Sequence, residues 1–154
     1  MVLVETVSGS PGETELAGEK LAKVLLLGDV VLLVGDLGMG KTAFTRGIAR
    51  GLGISARVQS PTFVIVKTYD GDKPLAHADL YRFDDEQVFG IELLELGSPD
   101  VVTVIEWANR AAELFEPFAP LTVSFENCGA ESFRKLLFCS NHEAWGVRLA
   151  AVEL

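Results

Sequence analysis

Val30-Val31-Leu32-Leu33-Val34, followed by Gly35-Asp36-Leu37-Gly38-Met39-Gly40-Lys41-Thr42 and a helix-compatible run to Leu52, is the stretch on which the fold turns. Five consecutive apolar residues without alternation have the length and pattern of a strand covered on both faces. The eight residues after them satisfy G-x-x-x-x-G-K-[ST], and the motif carries meaning because it stands directly between a buried strand and a helix. Glycines let the backbone wrap a polyphosphate with its N–H groups inward, and the helix N-terminus adds positive potential. Lys41 would reach the β- and γ-phosphates and the Thr42 hydroxyl would ligate Mg²⁺. Gly51 and Gly53 end the helix.

Upstream, Val2 to Thr6 reads as a short strand. Ser10-Pro11-Gly12-Glu13 is a capping-box start, with proline at the first helical position, for a helix running to about Leu26. Its apolar stripe is Leu16, Ala17, Leu21, Val24 and Leu25, and Gly28-Asp29 ends it. Downstream, an extended stretch from Val58 to Tyr69 is interrupted by Ser60-Pro61-Thr62, and Asp70 to Lys73 is a turn. Leu75 to Leu80 reads as a strand, Asp84 to Leu96 as a helix, Val101 to Ile105 as a second apolar strand, and Asn109 to Phe115 as a helix. Leu121 to Glu126 and Arg134 to Ser140 read as consecutive strands added antiparallel at the sheet edge, and the last dozen residues fit helix or strand. The alternation predicts a three-layer α/β fold of the P-loop NTPase type, with a mainly parallel central sheet and antiparallel edge strands, as one domain over residues 1–154.

Composition narrows the function. The 154 residues, 49% hydrophobic and 23% charged, suffice for one core. No apolar run approaches the ~18 residues of a membrane helix. The start Met1-Val2-Leu3-Val4-Glu5 lacks a basic leader, so a cytoplasmic location is expected. Cys128 and Cys139 fall in no metal or redox spacing and read as buried free thiols. A net charge of −9 argues against gripping nucleic acid directly. Residues 41–82 are nevertheless a basic island, with Lys41, Arg46, Arg50, Arg57, Lys67, Lys73 and Arg82 against three acids. Such an island suits an anionic ligand or an acidic partner, although a solvated helix face explains it as well.

A phosphate loop needs an acid at a neighbouring strand end to hold Mg²⁺ or its water. Asp79 ends Leu75-Ala76-His77-Ala78, and Glu106 ends Val101-Val102-Thr103-Val104-Ile105. Both are expected at the carboxyl edge of the sheet, one as a metal ligand and the other orienting water or completing the metal's outer shell. His77 shares a face with Asp79; a structural role outweighs one near the metal. Trp107 reads as packing or shielding. Asn109-Arg110, Asn127-Cys128 and Asn141-His142 do not start the N/T-K-x-D element of a guanine-specific GTPase, so ATP is preferred. After Arg82 only Arg110, Arg134, Lys135 and Arg148 remain, in no lid-like cluster, which sets a small P-loop kinase second. A nucleotide-sensing binding module is the alternative from another class.

Taken together, Gly35-Asp36-Leu37-Gly38-Met39-Gly40-Lys41-Thr42, Val58-Gln59-Ser60-Pro61-Thr62-Phe63, His77-Ala78-Asp79-Leu80-Tyr81-Arg82, Gly90-Ile91 and Ile105-Glu106-Trp107 resemble the bacterial TsaE (YjeE) family. The family pattern is close to G-D-L-G-A-G-K-T, S-P-T-[YF], H-x-D-L-Y-R and E-W. Two positions depart from it: Met39 replaces a common alanine and slightly crowds the phosphate turn, and Ala108 replaces a frequent proline. The resemblance implies an ATPase needed for threonylcarbamoyl-adenosine modification of tRNA. It would act on the complex of TsaD with TsaB to reset it between turnovers and touch tRNA only through those partners. By the same resemblance, Thr42 and Glu106 would be Mg²⁺ ligands or their neighbours. Asp79 would lie beside the γ-phosphate, and Ser60-Pro61-Thr62 would be a switch segment responding to the nucleotide. The resemblance weakens after about residue 116.

Overall fold

In the computed structural model, which describes residues 1–59, 66–80, 97–107 and 115–154, Val30–Val34 is strand β2 and its first four residues are buried. It pairs in parallel on both sides, with β5 (Val102–Trp107) and β6 (Leu121–Cys128), the setting that a strand without alternation requires. β4 (Leu75–Asp79) lies parallel beyond β5, and β3 (Val66–Tyr69) pairs antiparallel with β4. On the other side β7 (Ala130–Cys139) folds back antiparallel to β6, and β1 (Val2–Ser8) pairs antiparallel with β7. The sheet order is β1-β7-β6-β2-β5-β4-β3, with its parallel strands in the middle and antiparallel pairing at both sides.

The β6–β7 hairpin expected from the sequence is present, but its first strand is not an edge addition. β6 is an inner strand beside β2, because Leu121, Val123 and Phe125 form an apolar face that joins the central core. β5 also continues beyond Ile105, so Glu106 and Trp107 lie within the strand rather than after it. Cys128 and Cys139 are free and only half-buried. In the ladders Cys128 faces Ala130 while Cys139 faces Thr122, which puts them at opposite ends of the hairpin. Burial pushes the Cys139 thiol pKa up, away from reactivity.

Two helices pack side by side on one face. α1 (Pro11–Ala22) is capped by the Ser10 hydroxyl, which accepts from Glu13 N–H at 3.1 Å, while the Glu13 carboxylate accepts from Gly9 N–H. It ends four residues before the expected Leu26. Lys23, Val24 and Leu25 N–H turn to the carbonyls three residues back, and Arg148 takes the Val24 carbonyl while pairing with the Asp29 carboxylate. Arg148 lies on α3 (Glu143–Leu149), which resolves the ambiguous C-terminal residues as helix; its guanidinium stacks 4.1 Å from the Trp145 ring. Leu16 is exposed, outside the stripe that buries Ala17, Leu21 and Leu25.

α2 (Lys41–Gly51) touches α1 through glycines. A Cβ on Gly47 would stand 1.8 Å from the Glu15 carbonyl oxygen, and one on Gly18 would stand 2.2 Å from that of Phe44. The backbones can approach this closely only without side chains, and Phe44 then reaches the sheet to meet Phe125 edge-on at 5.6 Å. Gly47→Ala must push the helices apart. Its unfolding free energy, read from urea titration, should fall by about 1–3 kcal/mol despite alanine's better helix propensity.

The opposite face is buried as well: Val30, Leu32, Ala78, Ile105 and Phe115 are all inaccessible or nearly so. The helices expected over Asp84 to Leu96 and Asn109 to Phe115 lie outside the described residues, Phe115 excepted. No described helix is long and apolar enough to cross a membrane.

Candidate functional site

The parallel core directs the carboxyl ends of β2, β5 and β4 to one edge of the sheet, which brings the glycine turn, Glu106 and Asp79 to the same side. Between β2 and α2 the chain makes the Gly35 to Gly40 turn. Gly40 sits at φ +101° and Gly38 at φ +78°, left-handed conformations that side-chain-bearing residues rarely adopt. Asp36, Leu37 and Gly38 are exposed on the turn. Met39 points inward and belongs to the buried core cluster. It therefore anchors the turn from beneath, where the sequence suggested slight crowding of it.

The two helix starts differ. α1 has its Glu13 N–H capped by the Ser10 hydroxyl and has the Glu13 carboxylate in its first turn. α2 is preceded by Gly40, has no side-chain cap and no acid in its first turn, and begins with Lys41. A cation at a helix N-terminus opposes the helix dipole, so α2 starts without a side-chain cap and with a positive charge at its first residue. Lys41 is buried, and its ammonium donates to the carbonyls of Gly35 and Asp36. Burial pulls its pKa below the ordinary 10.5, while Glu106, Asp79 and Asp36 act in the opposite direction.

β4 and β5 place the acids. In their parallel register Asp79 lies opposite Glu106, and Glu106 lies opposite Leu33 of β2. Strand alternation puts Glu106 on the side of Val102 and Val104, which face the helices. There Thr42 Oγ1 donates to Glu106 Oε1 at 3.0 Å, joining the end of the turn to β5. Glu106 is 2% exposed, whereas Asp79 is half-buried at its strand end. His77, fully buried, lies 2.9 Å from Glu106 Oε2 through Nε2. This link is missing from the sequence reading, which set His77 beside Asp79. Same-strand alternation supplied that placement; the partner across the ladder follows only from strand order.

Of the remaining sequence candidates, Ser60, Pro61, Thr62 and Arg82 lie outside the described residues. For Trp107 the backbone is described, paired with Val34. Arg46, Arg50 and Arg57 line one surface groove beside Ser55 and Val58. Within it Arg50 pairs with Glu15 and Glu19 of α1, and Arg46 donates to the Val58 carbonyl at 3.2 Å. Local carboxylates thus offset part of the basic island.

The family model described as threonylcarbamoyl adenosine biosynthesis protein TsaE matches residues 8–135. The chain belongs to the TsaE family. The TsaE protein of Bacillus subtilis (strain 168), named for tRNA threonylcarbamoyladenosine biosynthesis, is 46% identical over 105 residues, which span 68% of this chain and 66% of that protein. The Synechocystis protein of the same name is 43% identical over 110 residues, covering 66% of this chain and 68% of that one. The crystal structure of Bacillus subtilis YdiB superimposes with a TM-score of 0.79 at 32% identity and covers 98% of this chain and 95% of that chain. TsaE membership thus takes in the turn, α2 and the strand ends that carry the acids. α3 with Arg148 falls after the matched stretch.

Proposed function

We propose that this TsaE-family chain is a Mg²⁺-dependent ATPase with a three-layer P-loop NTPase fold, acting in threonylcarbamoyl-adenosine modification of tRNA. The observation that carries the reading is the start of α2 without a side-chain cap and with Lys41 at its first position, against the Ser10-capped start of α1. Such an N-terminus is costly until an anion occupies it. The cradle is Gly35, Asp36, Leu37, Gly38, Met39, Gly40, Lys41 and Thr42, in which backbone N–H groups face the phosphates and the Lys41 ammonium reaches the outer ones.

The residues also fit a magnesium ion. Thr42, Glu106 and Asp79 offer hard oxygen donors, and among the described residues no group of three His, Cys, Asp or Glu could hold a metal alone. Mg²⁺ is commonly held in this way, with phosphate oxygens and water completing its shell. When bound, the ion neutralises charge developing on the transferred phosphoryl group. Glu106 receives the Thr42 hydrogen, which leaves that oxygen's lone pairs for the metal. Asp79, beside Glu106 in register and half-buried, is assigned to the γ-phosphate and its attacking water. No residue need form a covalent intermediate, because positioning and fixed charge supply the stabilisation.

An acidic chain suits a role in which partners hold the RNA. TsaD and TsaB are the partners this reading names, and charge reversal at Arg46, Arg50, Arg57 and Arg82 tests whether the basic residues meet them. The deciding experiment is ATP turnover with Mg²⁺, first alone and then with the TsaB–TsaD pair and tRNA, scoring phosphate release and modified adenosine together. Slow release alone, stimulated release with partners and repeated modification are expected. Turnover indifferent to those partners, or phosphate delivered to a small acceptor, would move the function to a kinase.

A further inference from the structure

His77 is wholly buried, yet among the described residues its ring has a single polar link, Nε2 to Glu106 Oε2 at 2.9 Å, and Nδ1 has no partner. A buried imidazole kept only for packing would be replaced at no loss by an apolar side chain, since burying an unpaired polar nitrogen costs free energy. What the ring does must therefore pass through Glu106.

The bond has a defined direction. As a carboxylate, Glu106 can only accept, so Nε2 carries the hydrogen. The neutral tautomer then leaves a bare lone pair at Nδ1, a smaller loss than a buried N–H without an acceptor. Glu106 receives one donor on each oxygen: His77 on Oε2 and the Thr42 hydroxyl on Oε1. These donors come from β4, beside β5 in the sheet, and from α2, so the carboxylate is held between two elements.

The geometry points to His77 as a positioning residue for metal binding: by fixing Glu106 Oε2 it presents Oε1 to the Thr42 hydroxyl and turns that hydroxyl's lone pairs toward the cation. This rests on the phosphate-site reading proposed above. Without the Nε2 donor, Glu106 would be free to rotate about its terminal torsion. Thr42 would then lose the acceptor that orients it. Direct hydrogen-bond partners of metal ligands typically govern metal affinity by about 10–100-fold, and His77, one bond further out, is expected at the lower end of that range.

The test measures ADP binding to the whole chain with Mg²⁺ and with EDTA; the ratio of the two affinities reports the metal site without any turnover. His77→Leu should leave metal-free ADP affinity unchanged and shrink the Mg²⁺ enhancement by about 10-fold, or wholly where the enhancement is smaller. His77→Gln, whose amide nitrogen falls near the position of Nε2, should restore it, and His77→Asn, whose shorter amide falls near Nδ1, should not. If His77→Leu does not fold, the Gln and Asn variants decide. Full Mg²⁺ enhancement in His77→Leu, or equal behaviour of Gln and Asn, overturns the proposal. A parent that binds ADP but ignores Mg²⁺ overturns it too. A parent that binds no ADP overturns the phosphate site itself, and the two failures are distinguished because this one appears without any substitution.

Discussion

Lys41→Met should abolish measurable ATP hydrolysis and weaken nucleotide binding by roughly a hundredfold to a thousandfold, the equivalent of losing about 3–4 kcal/mol from one partner of a buried charge pair. The same variant should melt no lower than the parent. In the free protein the Lys41 ammonium is buried at the N-terminus of α2, where both desolvation and the helix dipole oppose it. Its pKa is lowered by burial, so folding disfavours the charged form. The sign follows from linkage. The cost is fully present below the lowered pKa and is relieved as pH rises toward 10.5, so at neutral pH the methionine variant is spared it. Calorimetric melting paired with ADP titration checks both halves. A variant that binds nucleotide like the parent would remove the phosphate-site assignment; one that unfolds early would show that Lys41's bonds to the Gly35 and Asp36 carbonyls outweigh its burial.

Which parts were legible in the sequence depends on the range of the rule that fixes them. The β2 run, the glycine turn and α2 could be read directly because each obeys a local rule: uniform apolarity, glycine at left-handed positions, and a helix closed by glycine. Asp79 and Glu106 could be assigned to one edge because both follow apolar strands, and parallel pairing then makes them neighbours. Links that depend on strand order were not legible. The sequence does not reveal that β6 inserts beside β2, since a hairpin looks the same whichever of its strands docks. For the same reason His77 could be placed on a face but not against Glu106. The α1–α2 contact left a signal that went unused. Gly47 and Gly51 stand four apart on α2, and a pair of glycines on one helix face marks close backbone approach. Leu16 and the early end of α1 had no such signal, because Arg148, which takes the Val24 carbonyl, is distant in sequence.

Glu106→Ala separates the ATPase from a nucleotide-sensing module more sharply than any change in the cradle, because it leaves the turn, Lys41 and the N-terminus of α2 in place. Nucleotide should still bind. Hydrolysis should fall by about 10²–10³, the usual loss when one preorganised electrostatic group is removed from an active site. Two bonds disappear together: Thr42 loses the acceptor at 3.0 Å, and the His77 Nε2–H is left buried without one. Alanine removes both acceptors cleanly, which glutamine does not. A glutamine offers one acceptor oxygen to two donors: with its amide NH2 toward Thr42 the hydroxyl must accept instead of donate, and with it toward His77 the ring must change tautomer and bury an unpaired Nδ1–H. With the TsaB–TsaD pair and tRNA, an ATP-driven reset predicts that modification by the alanine variant stops after a single cycle. A module that works by nucleotide-dependent association alone predicts the full multiple-turnover rate with hydrolysis lost. Counting modified adenosines per complex, with bound nucleotide measured in the same sample, decides between them: bound ATP with continued turnover would mean that hydrolysis is incidental to this fold's task.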